Sequence, residues 1–147
     1  MTRKVFFSFE YGEDVQRANV VRNSGMTKGI KDSGFIDAAD FEKIERQGDQ
    51  AIKSWIDGQL KGTSVTVVLV GAKTCSSRWV RYEIEKSIEI GNGLIGIDIS
   101  KIANLAGKTT ERCGEIPRGY DFYLWKKDNG YENLGKWVEV AAKRAGR

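Results

Sequence analysis

The chain has 147 residues, of which 40% are hydrophobic and 30% charged, and a formal net charge of +4. This length predicts one domain, residues 1–147, and the composition is that of a globular protein. The basic residues are spread among acidic ones, which argues against a nucleic-acid partner. The chain contains no histidine. That excludes Ser-His-Asp and Cys-His catalysis and removes the commonest metal ligand, so we expect no metal site.

Cysteine spacing and hydropathy predict the compartment. Cys75 and Cys113 have neither disulfide-scaffold nor zinc-type spacing, so we expect free thiols in a reducing compartment. No apolar segment is long enough to span a membrane, and the chain enters a strand directly, without a signal peptide. We therefore expect a cytoplasmic protein with no membrane partner.

The first third of the chain alternates strand and helix signals. Residues 4–9 are apolar and aromatic, which predicts a first strand, and helical spacing follows over residues 14–22. Residues 25–34 are polar and punctuated by glycine, which predicts a loop. Residues 35–37 could form a short second strand.

The middle third carries the clearest patterns. Residues 41–61 are helical in spacing, but Gly48 interrupts them, so a helix starting near residue 49 is expected. Val65–Val70 is short, β-branched and apolar on both faces, as in a buried parallel strand. A helix is predicted over residues 77–90, with an apolar stripe of Val80, Ile84 and Ile88.

The last third completes an alternating order. The Gly-Asn-Gly of residues 91–93 stops the preceding helix, and residues 94–99 predict another buried strand. A loop over 101–120, a last strand over 121–125 and a closing helix over 131–144 follow, the helix with Leu134, Trp137, Val138 and Ala141 inward. This order favours an α/β fold: a flavodoxin-like open parallel sheet of about five strands with helices on both faces.

One carboxylate stands out because of its place in this order. Glu83 lies about one and a half turns into the helix that follows the Val65–Val70 strand. In open α/β sheets, ligands bind beyond the carboxyl ends of the strands, so Glu83 could face a substrate. The alternative is a solvated helix face, since Glu85, Lys86 and Glu89 are its neighbours.

Several segments, in order along nearly the whole chain, resemble one protein family. Phe6-Phe7-Ser8-Phe9 and Ser76-x-x-Trp79-x-x-x-Glu83 resemble the opening and the catalytic-glutamate segment of TIR domains. More closely, the chain is similar to the bacterial TIR-like family that includes the small TIR subunit of the Thoeris antiphage system. The segments that carry this similarity are Val67-Val68-Leu69-Val70-Gly71, Trp79-Val80-x-Tyr82-Glu83-Ile84, Gly93-Leu94-Ile95-Gly96-Ile97 and Asp128-x-Gly130-Tyr131-x-Asn133-x-Gly135-x-Trp137.

This resemblance implies an enzyme that consumes NAD. TIR enzymes cleave the nicotinamide–ribose bond, and Thoeris-type members convert the product into a cyclic ADP-ribose-like signal for a separate effector protein. Glu83 aligns with the catalytic glutamate, NAD is a substrate and not a bound cofactor, and assembly into a homo-oligomer is possible. The chemistry suits a chain without histidine, because a carboxylate can stabilise the oxocarbenium-like state and neutral nicotinamide needs no general acid to leave.

The candidate substrate-binding residues surround the same crevice, and each has a structural alternative. Ser8 is expected at the rim of the first strand with one neighbouring aromatic in the core, Arg17 could pair with a pyrophosphate or sit in a surface ion pair, and Ser76 could contact phosphate or cap a helix. Trp79 could line the pocket or belong to the core. The predicted set is Phe7, Ser8, Phe9, Asp14, Arg17, Asn23, Ser76, Arg78 and Trp79.

Other nucleotide-binding classes lack their motifs here. No G-x-G-x-x-G follows the first strand and no G-x-x-x-x-G-K-[ST] occurs, which excludes a Rossmann dehydrogenase and a P-loop NTPase. A response-regulator receiver would need an Asp at the end of its middle strand, where Gly71 stands. Two non-catalytic alternatives stay open: a TIR-like interaction module and a domain that senses nucleotides without turnover.

Overall fold

A computed structural model describes residues 3–26, 29–33 and 37–147. Strands and helices alternate along it, as the sequence predicts. The elements are β1 (Arg3–Ser8), α1 (Tyr11–Met26), β2 (Ile30–Ser33), α2 (Ala38–Arg46), α3 (Asp49–Leu60), β3 (Val65–Val70), α4 (Arg78–Glu89), β4 (Gly93–Asp98), β5 (Phe122–Leu124) and α5 (Gly130–Arg144), with a single 3₁₀ turn at Thr74–Ser76.

All five strands are parallel, and their order across the sheet is β2-β1-β3-β4-β5. This is the flavodoxin-like order, so the predicted fold class is confirmed. β3 is central and buried along its whole length. The carboxyl ends of β1 and β3 lie side by side, with Ser8 opposite Val68, and that edge is where the fold places ligands.

Helices cover both faces of the sheet, and β1 alternates between them. Phe7 joins the core cluster that packs under α1 and α5, whereas Phe6 belongs to the cluster formed with α2 and α3. Ser8 shares the strand face of Phe6 because side chains alternate along a strand. None of the described helices is long and apolar enough to cross a membrane.

The predicted loop over residues 25–34 is wrong at both ends. α1 continues to Met26, and Ile30–Ser33 forms the edge strand β2. Within β2, Ile30 and Ser33 are buried while Lys31 is exposed. A single apolar side chain therefore marks this strand, which is too weak a sequence signal. Of the predicted strand over 35–37, residues 35 and 36 lie outside the described residues.

The Gly48 interruption is confirmed, since α2 and α3 are separate helices on either side of it and Gly48 has φ +105°. The predicted stripe of α4 is only partly right. Val80 is buried, but Ile88 is 40% exposed, and the other buried residues of α4 are Glu83 and Ser87. Glu83 and Ser87 can be buried because each has a hydroxyl group of the sheet as its hydrogen-bond partner.

The expectation of free thiols is wrong, because Cys75 and Cys113 form a disulfide with 5.3 Å between their Cα atoms. The bond joins the loop after β3 to the long loop after β4, and the Cys75 N–H also donates to the Cys113 carbonyl at 2.8 Å. Both loops leave the carboxyl edge of the sheet, which brings together residues 38 apart in sequence. The two cysteines therefore give no support to a reducing compartment.

Candidate active site

Glu83 owes its position to the start of α4. Ser77 caps the helix, with its hydroxyl accepting a hydrogen bond from the Val80 N–H at 3.2 Å. The helix begins beyond the end of β3 and runs back across the sheet, which turns Glu83 toward the end of β1. Only 3% of Glu83 is exposed. A buried carboxyl at the ligand-binding edge is unlike the solvated Glu of an ordinary helix face.

Ser8 is the direct partner of this carboxyl group. Its hydroxyl donates to Glu83 Oε1 at 2.6 Å, and Oε2 receives no hydrogen bond from the described residues. Burial raises the pKa of Glu83 to about 8, and the hydrogen bond from Ser8 opposes part of that rise. The expected rim position of Ser8 is wrong, because α4 covers this face of β1 and leaves Ser8 fully buried.

A pair of hydroxyl groups, on Ser87 and Thr66, fixes the backbone at Glu83. Ser87 Oγ donates to the Glu83 carbonyl oxygen at 2.6 Å and lies 2.6 Å from Thr66 Oγ1 on β3. All three residues are buried. Two strands thus each contact α4 through a hydroxyl group. On β1, Ser8 binds the Glu83 side chain, and on β3, Thr66 binds Ser87. These buried hydrogen bonds join α4 to the sheet and so fix the position of the Glu83 carboxyl group.

A cavity of about 350 Å³ opens in front of Glu83. It lies between the loop after β1, helix α2 and the first turns of α4. Its lining residues are Phe9, Glu10, Tyr11, Gly12, Ala38, Phe41, Glu42, Glu45, Ser77, Trp79 and Glu83. The cavity therefore combines a buried carboxyl with aromatic walls.

The aromatic side chains form a continuous wall. Tyr11 and Phe41 are stacked, with ring centroids 4.3 Å apart and planes 5° apart, and Phe9 lies 4.4 Å from Tyr11. Trp79 stands on α4, one turn before Glu83, and its indole N–H donates a long hydrogen bond of 3.4 Å to Glu45 on α2. A planar ring could pack against such walls beside the carboxyl group.

Three predicted site residues lie deep in the fold instead. Phe7 is buried under α1 and α5, on the opposite sheet face from Glu83. Asp14 is fully buried in the first turns of α1 against Gly71, and burial raises its pKa to about 6. Arg17 is buried too, and its guanidinium donates to the carbonyls of Ile102 at 2.7 Å and Lys108 at 2.9 Å. Arg17 thereby ties the loop after β4 to α1.

Three more predicted residues lie at the surface. Asn23 is exposed on α1, and the Ser76 hydroxyl donates to the Lys73 carbonyl at 3.0 Å. Arg78 makes a two-pronged ion pair with Asp49, both contacts at 2.9 Å, and lies 4.5 Å from the Trp79 ring. None of the three lines the cavity. Their roles in substrate binding stay predictions.

Most of the cavity wall consists of residues that the sequence does not single out. Glu10 and Tyr11 follow β1 directly, so the rule that ligands bind at strand ends could have found them. Phe41, Glu42 and Glu45 lie on α2, which reaches the site only through the three-dimensional packing. No local signal distinguishes these positions from an ordinary amphipathic helix.

Three larger clefts lie elsewhere. One of about 780 Å³ lies between α4 and the loop after β4 and is lined by Arg81, Arg112 and Cys75 among others. Another, of about 510 Å³, lies near the start of β4 at the other end of the sheet. A third, of about 630 Å³, is lined mainly by residues at and just after the ends of α3 and α4. None of the three has a buried carboxylate among its described lining residues, so size alone does not identify the site.

The amino-acid sequence is similar to those of known proteins. The family described as "Thoeris protein ThsB, TIR-like domain" matches residues 6–104, which include the end of β1, all of β3 and α4, and the whole lining of the cavity. The chain belongs to this ThsB TIR-like family. It is also 42% identical over 140 residues to a protein of Bacillus cereus (strain MSX-D12) named "Putative cyclic ADP-D-ribose synthase ThsB1". The aligned region covers 94% of this chain and 72% of that relative.

Membership of the ThsB TIR-like family confirms the resemblance seen in the sequence. The matched range ends at residue 104, so β5 and α5 lie beyond it, whereas the match to the Bacillus protein extends over nearly the whole chain. Glu83 and Ser8 both lie inside residues 6–104, the part of this chain that matches the ThsB family.

Proposed function

We propose that this chain cleaves the nicotinamide–ribose bond of NAD, with Glu83 as the catalytic carboxylate, and forms a cyclic ADP-ribose-type product. The observation that carries the proposal is the buried Glu83 carboxyl, held by Ser8 and lining an aromatic cavity at the ligand-binding edge of the sheet. The name of the Bacillus relative, a cyclic ADP-D-ribose synthase, supports the same reaction. The product would serve as a signal to a separate effector protein.

The cavity supplies what bond cleavage needs. When the bond between ribose C1′ and the ring nitrogen breaks, its electron pair goes to the nitrogen and nicotinamide leaves neutral. Positive charge then develops on the ribose, where an ionised Glu83 would stabilise it. In cyclisation the attacking atom belongs to the substrate itself, so the protein need not supply a second nucleophile.

The raised pKa of Glu83 bears on this role. A carboxyl with a pKa of about 8 is mostly neutral at physiological pH in the empty site. The pyridinium ring of NAD carries a positive charge, and an opposite charge nearby favours the ionised form of a carboxyl group. Substrate binding would therefore lower this pKa and ionise Glu83 when it is needed.

The test is direct analysis of NAD incubated with three forms of the protein: wild type, Glu83→Gln and Glu85→Gln. Glu85 is exposed on the same helix and does not line the cavity, so its variant is matched in charge. Chromatography should find nicotinamide and an ADP-ribose-type product with wild type and Glu85→Gln, and neither with Glu83→Gln. Retention times against linear and cyclic standards identify the product.

Assembly enters the design because TIR-type enzymes can require a neighbouring copy of the chain. The incubations are repeated at high protein concentration and with extract from phage-challenged cells. Intact NAD under every condition, from protein that is folded by circular dichroism, would overturn the proposal. The chain would then be a non-catalytic TIR-like interaction module.

A further inference from the structure

The cavity in front of Glu83 has a one-sided charge. Four carboxyl groups line it, and no described lining residue is Lys or Arg. They belong to Glu10, Glu42, Glu45 and Glu83. A chain with a formal net charge of +4 has thus gathered acidic side chains at one concave site. Such a cleft concentrates cations and repels anions.

Two of these four acidic groups, those of Glu10 and Glu45, are not neutralised locally. Glu42 pairs with Arg46 at 2.6 Å, on the exposed side of α2, and is the one lining carboxylate with an ion pair in the described ranges. Glu10 accepts from the Gly12 N–H at 3.0 Å and Glu45 from the Trp79 indole, both neutral donors. Hydrogen bonds from neutral donors leave the formal charge in place.

The other lining groups point to the shape of the ligand. The stacked pair Tyr11 and Phe41 offers a flat apolar wall, and Trp79 lies across the cavity on α4. The Arg78 guanidinium already lies over the Trp79 ring, which shows that this indole can accept a cation. The buried Glu83 lines the cavity with Oε2 unpartnered among the described residues. The aromatic walls favour a flat ring, and the unneutralised carboxylates of Glu10 and Glu45 favour a ring with a positive charge.

We propose that this cavity selects a planar aromatic cation, with Glu10 and Glu45 as the residues that set the selectivity, and that the anionic phosphates of the same ligand remain outside it. The identification of that ring as the pyridinium of oxidised NAD rests on the proposed function. Loss of the ring's positive charge on cleavage would remove the attraction, so the cavity would release neutral nicotinamide readily. Selection by charge would thus favour both binding of the cationic substrate ring and release of the neutral product.

The test compares two small probes that differ in charge. 1-Methylnicotinamide is a pyridinium cation, and nicotinamide is the neutral ring without the methyl group. Their dissociation constants are measured with the full chain by isothermal titration calorimetry, with quenching of tryptophan fluorescence as a second signal. We expect the cation to bind at least about tenfold more tightly at about 20 mM salt, and this preference to shrink at about 200 mM salt.

Charge-neutral variants locate the selectivity. Glu45→Gln and Glu10→Gln should each reduce the preference for the cation about threefold or more, with little effect on nicotinamide, while Glu85→Gln changes neither. Equal affinity for the two probes, no binding of the cation at about 10 mM, or an unchanged preference in both variants would overturn the inference.

The outcome is separable from that of the proposed function, because neither probe is cleaved. NAD cleavage without any preference for the cation would refute the charge selection and leave the reaction standing. A clear preference for the cation without NAD cleavage would support the charge selection and refute the proposed reaction. The cavity would then bind a cationic ring in a protein that performs no chemistry on it.

Discussion

Replacing Glu83 with Gln should change how the free energy of unfolding depends on pH. In the folded chain the pKa of Glu83 is raised from 4.5 to about 8, chiefly by burial. The folded state therefore holds its proton more tightly than the unfolded state does. The resulting stabilisation is fully present below pH 4.5 and is lost as the pH rises to about 8, because unfolding then releases a proton. Gln has no proton to release, so this dependence should vanish in the variant.

The magnitude follows from the same two values. A pKa of about 8 against 4.5 corresponds to about 5 kcal/mol, at about 1.4 kcal/mol for each tenfold change. That is comparable with the total stability of a small domain, about 5–15 kcal/mol. Relative to the variant, wild type should thus lose up to about 5 kcal/mol between acid and alkaline pH.

Urea denaturation followed by tryptophan fluorescence measures this difference at several values between about pH 4 and 9 and constant ionic strength. The buried Asp14, whose pKa is raised to about 6, titrates in both proteins and cancels in the difference. Glu85→Gln serves as the control and should follow wild type. A difference between wild type and Glu83→Gln that stays flat within about 1 kcal/mol over this range would refute the reasoning, since Glu83 would then be ionised although buried.

Three other substitutions test the contacts around this site. Ser8→Ala removes a hydrogen bond that favours ionised Glu83, so nicotinamide release should fall about tenfold near neutral pH and recover at alkaline pH; an unshifted pH–rate profile would contradict this. Cys113→Ser opens a link across 38 residues and should lower the free energy of unfolding by up to about 4 kcal/mol in denaturant without reductant. With reductant, the free energy of unfolding of wild type should fall to that of the variant. If wild type and variant were equally stable with and without reductant, the disulfide would not contribute to stability. Thr66→Val removes a partner of Ser87 and should cost about 1–2 kcal/mol in the same assay, so a variant as stable as wild type would argue against a role for this pair.

The buried strands and their order could be predicted because each leaves an unmistakable pattern. β3 agrees with its predicted limits, Val65–Val70, because all six of its residues are buried and the sequence there is correspondingly apolar and β-branched. The edge strand β2 was not predicted because only two of its residues are buried, Ile30 and Ser33, and only Ile30 is apolar. An edge strand with one buried apolar residue has the composition of a loop.

The site was predictable only where a residue sits at a strand end or in a family motif. Glu83 lies in a family motif, on the helix that follows the end of β3. Its partner Ser8 was placed at the rim, because a sequence cannot show which helix covers a strand face. The α2 side of the cavity depends on how Phe41 packs against Tyr11, and the Cys75–Cys113 bond on how two loops meet above the sheet. Contacts between distant segments of this kind have no signature in the spacing of residues.

The two helices that flank the cavity are anchored very differently. α4 is fastened to the sheet by the buried hydroxyls of Ser8 and Thr66, whereas Phe41 is the one buried residue of α2. A ligand that needs more room should therefore displace α2 and leave Glu83 where it is. Backbone amides of α2 should exchange with deuterium much faster than those of α4, and ligand binding should slow them selectively. The moving wall of the site would be the one that carries Glu42 and Glu45, and the fixed wall the one that carries the reacting carboxylate.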